Sequence, residues 1–87
     1  MKQLEYLVGR INKATDSPET PYTKHGDKYT ANVGNYHLDG AYGGYQLQRM
    51  CNDGGGVDQP IGGGYVPKRE LYDKMRAYLA GIEHHKA

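Results

Sequence analysis

Residues 34–50 read GNYHLDGAYGGYQLQRM, and how this stretch pairs decides the fold. Residues 45–51 (YQLQRMC) alternate, with Tyr45, Leu47 and Arg49 on one side and Gln46, Gln48 and Met50 on the other, the period-two pattern of a strand. Upstream, residues 28–38 read as one strand or two short ones. Tyr29, Ala31 and Val33 share one parity and Tyr36 and Leu38 the other. The change falls at Gly34–Asn35, where a bulge or turn belongs. Between the strands, Asp39–Gly40 and Gly43–Gly44 compete as type I′ turns. A longer loop across 39–44, with Tyr42 at its tip, is the favoured connection.

Helical periodicity flanks this region on both sides. Leu4, Leu7, Val8 and Ile11 follow the i, i+3, i+4, i+7 spacing of a buried stripe, so residues 2–14 read as an amphipathic helix. Asp16, Ser17 and Pro18 end it, because proline disfavours helix at the preceding residue. Residues 15–27 (TDSPETPYTKHGD) form a polar connection with two prolines and no periodicity. A second helix spans 67–83, opening on Pro67, which suits a first helical position. Leu71, Met75, Tyr78, Leu79 and Ile82 make its buried stripe, with Glu70–Lys74 and Arg69–Asp73 as i, i+4 pairs on the wet side. Between 52 and 66 lie two glycine triplets, Gly54–Gly56 and Gly62–Gly64. They read either as a short internal duplication or as two glycine turns around a brief strand. The chain is thus one α+β domain over 1–87: an N-terminal helix, strands and glycine-rich loops over 28–66 forming a small antiparallel sheet of two or three strands, and a C-terminal helix packed on that sheet.

Composition narrows the function classes. The chain of 87 residues holds 13 Gly and 9 Tyr but no Phe or Trp. Leu, Ile, Val and Phe together make 13 of the 87, about 15%, under the roughly 20% of ordinary globular chains. Disorder would also require a high net charge, whereas the formal charge is +1. The chain folds, then, on a thin aliphatic core, and tyrosine is expected to supply much of the buried area. Small chains with thin cores gain stability by oligomerising, so a homo-oligomer, a dimer first, is expected. The small net charge argues against gripping duplex DNA. No apolar run is long enough to cross a membrane. The start, MKQLEYLVGR, lacks the apolar core and cleavage site of a secretory signal. A single cysteine, Cys51, cannot close an intrachain disulfide, which fits a reducing cytoplasm best.

The segment most informative about function is GGGYVPKREL, residues 62–71. Gly62, Gly63 and Gly64 let backbone N–H groups approach a ligand, and the helix that follows points its unpaired N–H groups the same way. Lys68 and Arg69 stand in the first helical turn, where acidic residues are the usual choice. An anion nearby, phosphate or carboxylate, would account for them; so would a flexible turn with solvated bases. The GK[ST] ending of a Walker loop and the strand–helix–strand unit of a dinucleotide fold are both missing. Tyrosines beside glycines, namely Tyr42, Tyr45 and Tyr65, offer flat faces to a base, and Arg49 could hold phosphate. Packing or a subunit interface explains many tyrosines equally well, Tyr72 and Tyr78 first among them. Catalysis has thin support. His25, His37, His84 and His85 make no zinc spacing, and a Cys51–His37 pair across the hairpin competes with the plainer reading of Cys51 as a small buried hydrophobe in a strand. No cofactor or metal is expected.

The strings GNYHLDGAYGGYQLQRM (34–50), NDGGGV (52–57) and VPKRELYDKM (66–75), with SPETPYT (17–23) after the first helix, resemble an uncharacterised family of short orphan proteins of tailed bacteriophages. The resemblance implies expression in the cytoplasm of an infected bacterial host and carries no functional residues over. Small viral proteins of this kind often act by binding. The expectation is a non-catalytic binder of a small anionic ligand, specifically a sponge for a nucleotide-derived, cyclic-nucleotide type immune signal. The alternatives are an inhibitor of a host or defence enzyme and, after it, a single-stranded nucleic-acid binder.

Overall fold

Apolar spacing in the N-terminal segment produces the helix it predicts. In the computed structural model, which describes residues 2–86, α1 spans Lys2–Ala14 and buries Leu4, Leu7 and Ile11 along one face. The helix closes on a Schellman-type pair: Ser17 N–H donates to the Asn12 carbonyl at 2.8 Å and Asp16 N–H to that of Lys13 at 3.2 Å. Asp16 takes the left-handed conformation, φ 55°, that glycine usually fills at this place.

Two antiparallel sheets follow. The first is a hairpin of β1 (Tyr22–His25) and β2 (Lys28–Ala31), with His25 opposite Lys28 across a Gly26–Asp27 turn. It corrects the expected polar connection over 15–27. All of β1 is exposed, as is β2 up to Ala31. β1 has no buried face, so no apolar alternation announces it, whereas β2 falls within the segment 28–38 read as a strand. The second sheet has the order β3-β4-β5, with β3 at Tyr36–Ala41, β4 at Gly44–Met50 and β5 at Val57–Asp58. Ala41 pairs with Gly44, leaving the two-residue loop Tyr42–Gly43, where both φ are positive, 52° and 74°, the type I′ pattern. The expected long loop across 39–44 is therefore wrong, and so are both of the glycine-based turns considered for it. Its physical reason lies at Gly44: a Cβ there would fall 2.9 Å from the Val66 carbonyl oxygen. Gly44 is needed inside the strand, where Tyr45 and Val66 exchange backbone bonds of 2.8 and 3.0 Å, and the non-glycine Tyr42 takes up the strained turn position instead.

The two glycine triplets are different objects. Gly54–Gly56 wraps around Asn52, whose Oδ1 accepts the Gly54 and Gly56 N–H groups at 3.0 and 2.9 Å. Gly62, Gly63 and Gly64 are consecutive left-handed residues with φ of 76°, 82° and 69°. Of the two sequence readings, glycine turns around a brief strand is the one the structure takes. Pro67 accepts the Leu71 N–H at 3.0 Å and so caps α2, which runs Lys68–Lys86, starting one residue after the predicted position and ending three residues beyond it.

Both helices pack on the face of β3–β4 that carries Tyr36, Leu38, Tyr45 and Leu47. Leu4, Leu7, Ile11, Leu47, Leu71, Met75 and Leu79 form the centre of the core. Tyrosine contributes less than its abundance predicts. Tyr36 alone among the tyrosines is buried, whereas Tyr6, Tyr22, Tyr29 and Tyr42 are exposed. Phenol hydroxyls need partners, and the contact between aliphatic helix stripes and the sheet supplies few, so the remaining tyrosines form the rim. The α+β class and the order helix, strands, helix stand as predicted.

Asn12 ties these layers together. Its carboxamide is fully buried, receives the Tyr36 N–H at 2.8 Å and donates to the Tyr36 carbonyl at 3.0 Å. A side chain on α1 thereby pairs with the free edge of β3 as a neighbouring strand would. Its removal would strand two buried backbone groups. Asn12→Ala is expected to destabilise the fold by about 3 kcal/mol in urea unfolding followed by circular dichroism. A loss under about 1 kcal/mol would show that water replaces the amide.

Candidate functional site

The residues singled out in the sequence fall into three places. The first is the start of α2. Lys68 and Arg69, on its exposed first turn, line a cavity of about 400 Å³ together with Gln3, Leu4, Tyr72 and Asp73. The ion pairs among the described residues are Arg10–Glu83 at 2.8 Å and Glu70–Lys74 at 3.3 Å. Lys68 and Arg69 therefore have no carboxylate partner, and the expected Arg69–Asp73 pair does not form. The Lys68 ammonium lies 5.6 Å from the centre of the Tyr45 ring, a cation–π distance. Tyr45 itself is half-buried and packs against the core.

The second place is the outer face of the sheet. Tyr42 and Tyr65 meet edge to face with ring centres 5.5 Å apart, and the Tyr65 hydroxyl donates to Asp39 Oδ2. This bond to a carboxylate raises the Tyr65 pKa. Beside them the amides form a chain: Gln48 Nε2 donates to Gln46 Oε1 at 2.8 Å, and Gln48 Oε1 lies 3.2 Å from His37 Nε2. Gln46 is 3% exposed and its Nε2 has no partner among the described residues. Tyr42 and Tyr65 therefore stand across the sheet from the Lys68–Arg69 cavity, where the sequence reading grouped them together. The parity of β4 separates them: Tyr45 points to the helices, while Gln46, Gln48 and, across the ladder, Asp39 point away.

The third place is Arg49. Its guanidinium lies 5.8 Å from the Tyr36 ring centre and opposite Asp58 across the ladder, while the Tyr36 hydroxyl is 2.9 Å from that of Tyr78. Tyr78 lies almost three turns along α2 from Lys68, so Arg49 does not join the two bases at the helix start. Burial first, and then the hydrogen bond with Tyr36, push the Tyr78 phenol up to about 12.

The glycine loop brings in a residue that sequence reasoning left out. The Nζ of Lys74 sits 3.0 Å from where a Gly63 Cβ would stand, so the loop folds back over α2. Lys74 appears in the sequence only as half of an i, i+4 pair; its contact with a loop eleven residues upstream carries no local signal. Tyr72 and Gln3 likewise become site residues only through the packing of α1 against α2. The Cys51–His37 pairing is not formed. Cys51 is exposed and lies outside the strands, correcting its reading as a buried strand residue. His37 instead faces Asn35 Oδ1 and Gln48 Oε1, each at 3.2 Å. Among the described residues no three His, Cys, Asp or Glu side chains converge as metal ligands would, and no helix is long and apolar enough to cross a membrane. Comparison with protein families, curated proteins and solved structures finds no match to this chain.

The raised phenols set an alkaline limit. A tyrosine whose pKa is higher in the fold than the ordinary value of about 10 stabilises fully below that pH, and the contribution is lost as pH rises through the folded value. The urea midpoint is expected to fall from pH 10 toward pH 12, and to fall less steeply in Tyr78→Phe. An identical slope in the variant would remove Tyr78 as the cause.

Proposed function

We propose that the chain is a non-catalytic binding protein for a small anionic ligand, held where α2 begins. One observation carries this reading: two cations without carboxylate partners among the described residues, Lys68 and Arg69, wall a cavity of about 400 Å³ at a helix start. Its volume is within the roughly 300–1,000 Å³ of small-molecule sites. A phosphate there would meet two full charges and the positive end of the helix. Asp73, on the cavity wall, offsets part of this, which favours a ligand with a compact anionic group over a polyanion. Tyr72 offers the aromatic wall that the sequence reading sought in Tyr42 and Tyr65, and Gln3 offers an amide to a base edge.

Within this class the specific ligand proposed is a nucleotide-derived signal of the cyclic-nucleotide type. The setting proposed is the host cytoplasm during phage infection, with the protein sequestering a bacterial immune signal, most simply as a homodimer. The phage resemblance and the chemistry of the cavity support it together. An inhibitor of a host or defence enzyme is the second reading, favoured by the β1–β2 hairpin, whose Tyr22 and Tyr29 are 47% and 65% exposed, since exposed tyrosines are common anchors at interfaces.

Isothermal titration with pyrophosphate and with cyclic mono- and dinucleotides tests the site. The Lys68→Glu, Arg69→Glu double variant is expected to lose affinity at least about tenfold while keeping its circular dichroism. Tyr72→Ala should weaken the nucleotides and spare pyrophosphate. Undiminished binding in the double variant would overturn the site. Ligand recovered intact after heat denaturation would mark a sponge, and a cleaved product an enzyme.

A further inference from the structure

A second opening lies on the other side of α1, along the free edge of β3. In the order β3-β4-β5, β3 has one unpaired edge. The phase of its hydrogen bonds follows from Asn12. Because the Tyr36 N–H and C=O both turn outward to that side chain, those of Leu38 and Gly40 also turn outward, while His37, Asp39 and Ala41 face β4. Tyr36 is the position that Asn12 satisfies. Outside the ladder, none of the hydrogen bonds among the described residues involves the backbone of Leu38 or Gly40. Two successive outward-facing positions thus stand ready to pair with another chain.

That edge forms one wall of a groove of about 340 Å³, with Val8, Pro21 and Leu38 as its apolar lining and Glu5 and Glu19 as its charged lining. Glu5, Val8 and Asn12 share one face of α1 at i, i+3 and i+7. From Asn12 back to Glu5 the helix rises about 10 Å, the advance of about three strand residues, so Glu5 comes level with the open positions when Asn12 sits at Tyr36. Neither Glu5 nor Glu19 belongs to an ion pair among the described residues. His37 is the remaining titratable group on the groove besides Tyr36, and it is engaged by Asn35 and Gln48. The groove therefore combines an unpaired strand edge, an apolar floor and two carboxylates without ion-pair partners among the described residues, at a separate place from the bases at the start of α2.

We propose that this groove receives an extended basic segment of a partner protein as an added strand. Main-chain bonds to Leu38 and Gly40 hold the segment. An aliphatic side chain rests on Val8 and Leu38, and lysine or arginine side chains reach Glu5 and Glu19. Strand addition of this kind draws affinity from backbone pairing and specificity from the side-chain lining. The charge favours a basic polypeptide over a second copy of this chain, because a copy paired edge to edge would bring a second set of the same carboxylates to the groove.

The test uses a fluorescein-labelled, end-capped hexapeptide, Thr-Lys-Thr-Val-Thr-Lys, whose lysines and valine share one face when extended, with the full chain. Saturable binding by fluorescence anisotropy is expected, with slowed amide hydrogen exchange at Leu38 and Gly40. Glu5→Lys with Glu19→Lys, both on exposed positions, should weaken binding about tenfold, as should N-methylation of the central valine. The Lys68→Glu, Arg69→Glu double variant should bind the peptide unchanged, so failure of the anion site and failure of the groove are told apart. Equal affinity in the Glu variant, or protection elsewhere in the chain, would overturn the proposal. So would protection of Leu38 that grows with the concentration of the protein alone, which would assign the edge to a second copy.

Discussion

The bond pair between the Asn12 carboxamide and the backbone of Tyr36 sets the geometry of everything around it. A buried amide is costly unless both its donor and its acceptor are used, and the outward N–H and C=O of one edge residue match it on both counts. This fixes α1 against one edge of the sheet and sets its height along β3. With α1 in place, its Leu4, Leu7 and Ile11 stripe meets α2 over Leu47, and Arg10 reaches Glu83. The cavity at the start of α2 exists because α1 brings Gln3 and Leu4 there. The groove on the opposite side exists because the same helix presents Glu5 and Val8 to the rest of β3. Both openings are by-products of one contact.

A small core makes this contact matter more. Short chains bury a smaller fraction of their surface than long ones, and here the central apolar positions are few. Polar side chains carry part of the organisation that a larger protein leaves to packing. Asn52 arranges the first glycine triplet through its carbonyl, Asn35 ties Pro18 to the sheet at 2.8 Å, and Asp39 anchors Tyr65 on the outer face. Each is a polar group with a geometric task. The glycines serve the same economy: Gly44 lets Val66 approach β4, and the left-handed run Gly62–Gly64 turns the chain back toward Lys74 before α2 begins.

Much of this was legible in the sequence, and the limits have physical causes. Both helices and β4 carry one buried face, so their periodicity survives in the residues. β1 has none, and the segment read as a connection. The β3–β4 turn was misplaced because its decisive constraint, the backbone of Val66 against Gly44, is twenty-two residues away. Lys68 and Arg69 were found because two bases in a first helical turn run against the local dipole. Their cavity partners Gln3 and Tyr72 were invisible, since only the packing of one helix on another assembles them. Arg49, Tyr42 and Tyr65 share the chemistry of a nucleotide site with the bases, but strand parity separates Tyr42 and Tyr65 from them, and distance along α2 separates Arg49. Asn12 left no trace at all, because an asparagine within a helix looks like any other polar residue until the edge it satisfies is known.

The claim on which the functional reading rests is that Lys68 and Arg69 form one anion site. Nitrogen–proton correlation spectra recorded during titration with pyrophosphate test it most directly. Saturating shifts concentrated at the amides of Gln3, Lys68, Arg69 and Tyr72 are predicted. Weak, unsaturating shifts spread over every lysine-bearing surface, Lys24 and Lys28 included, would contradict it.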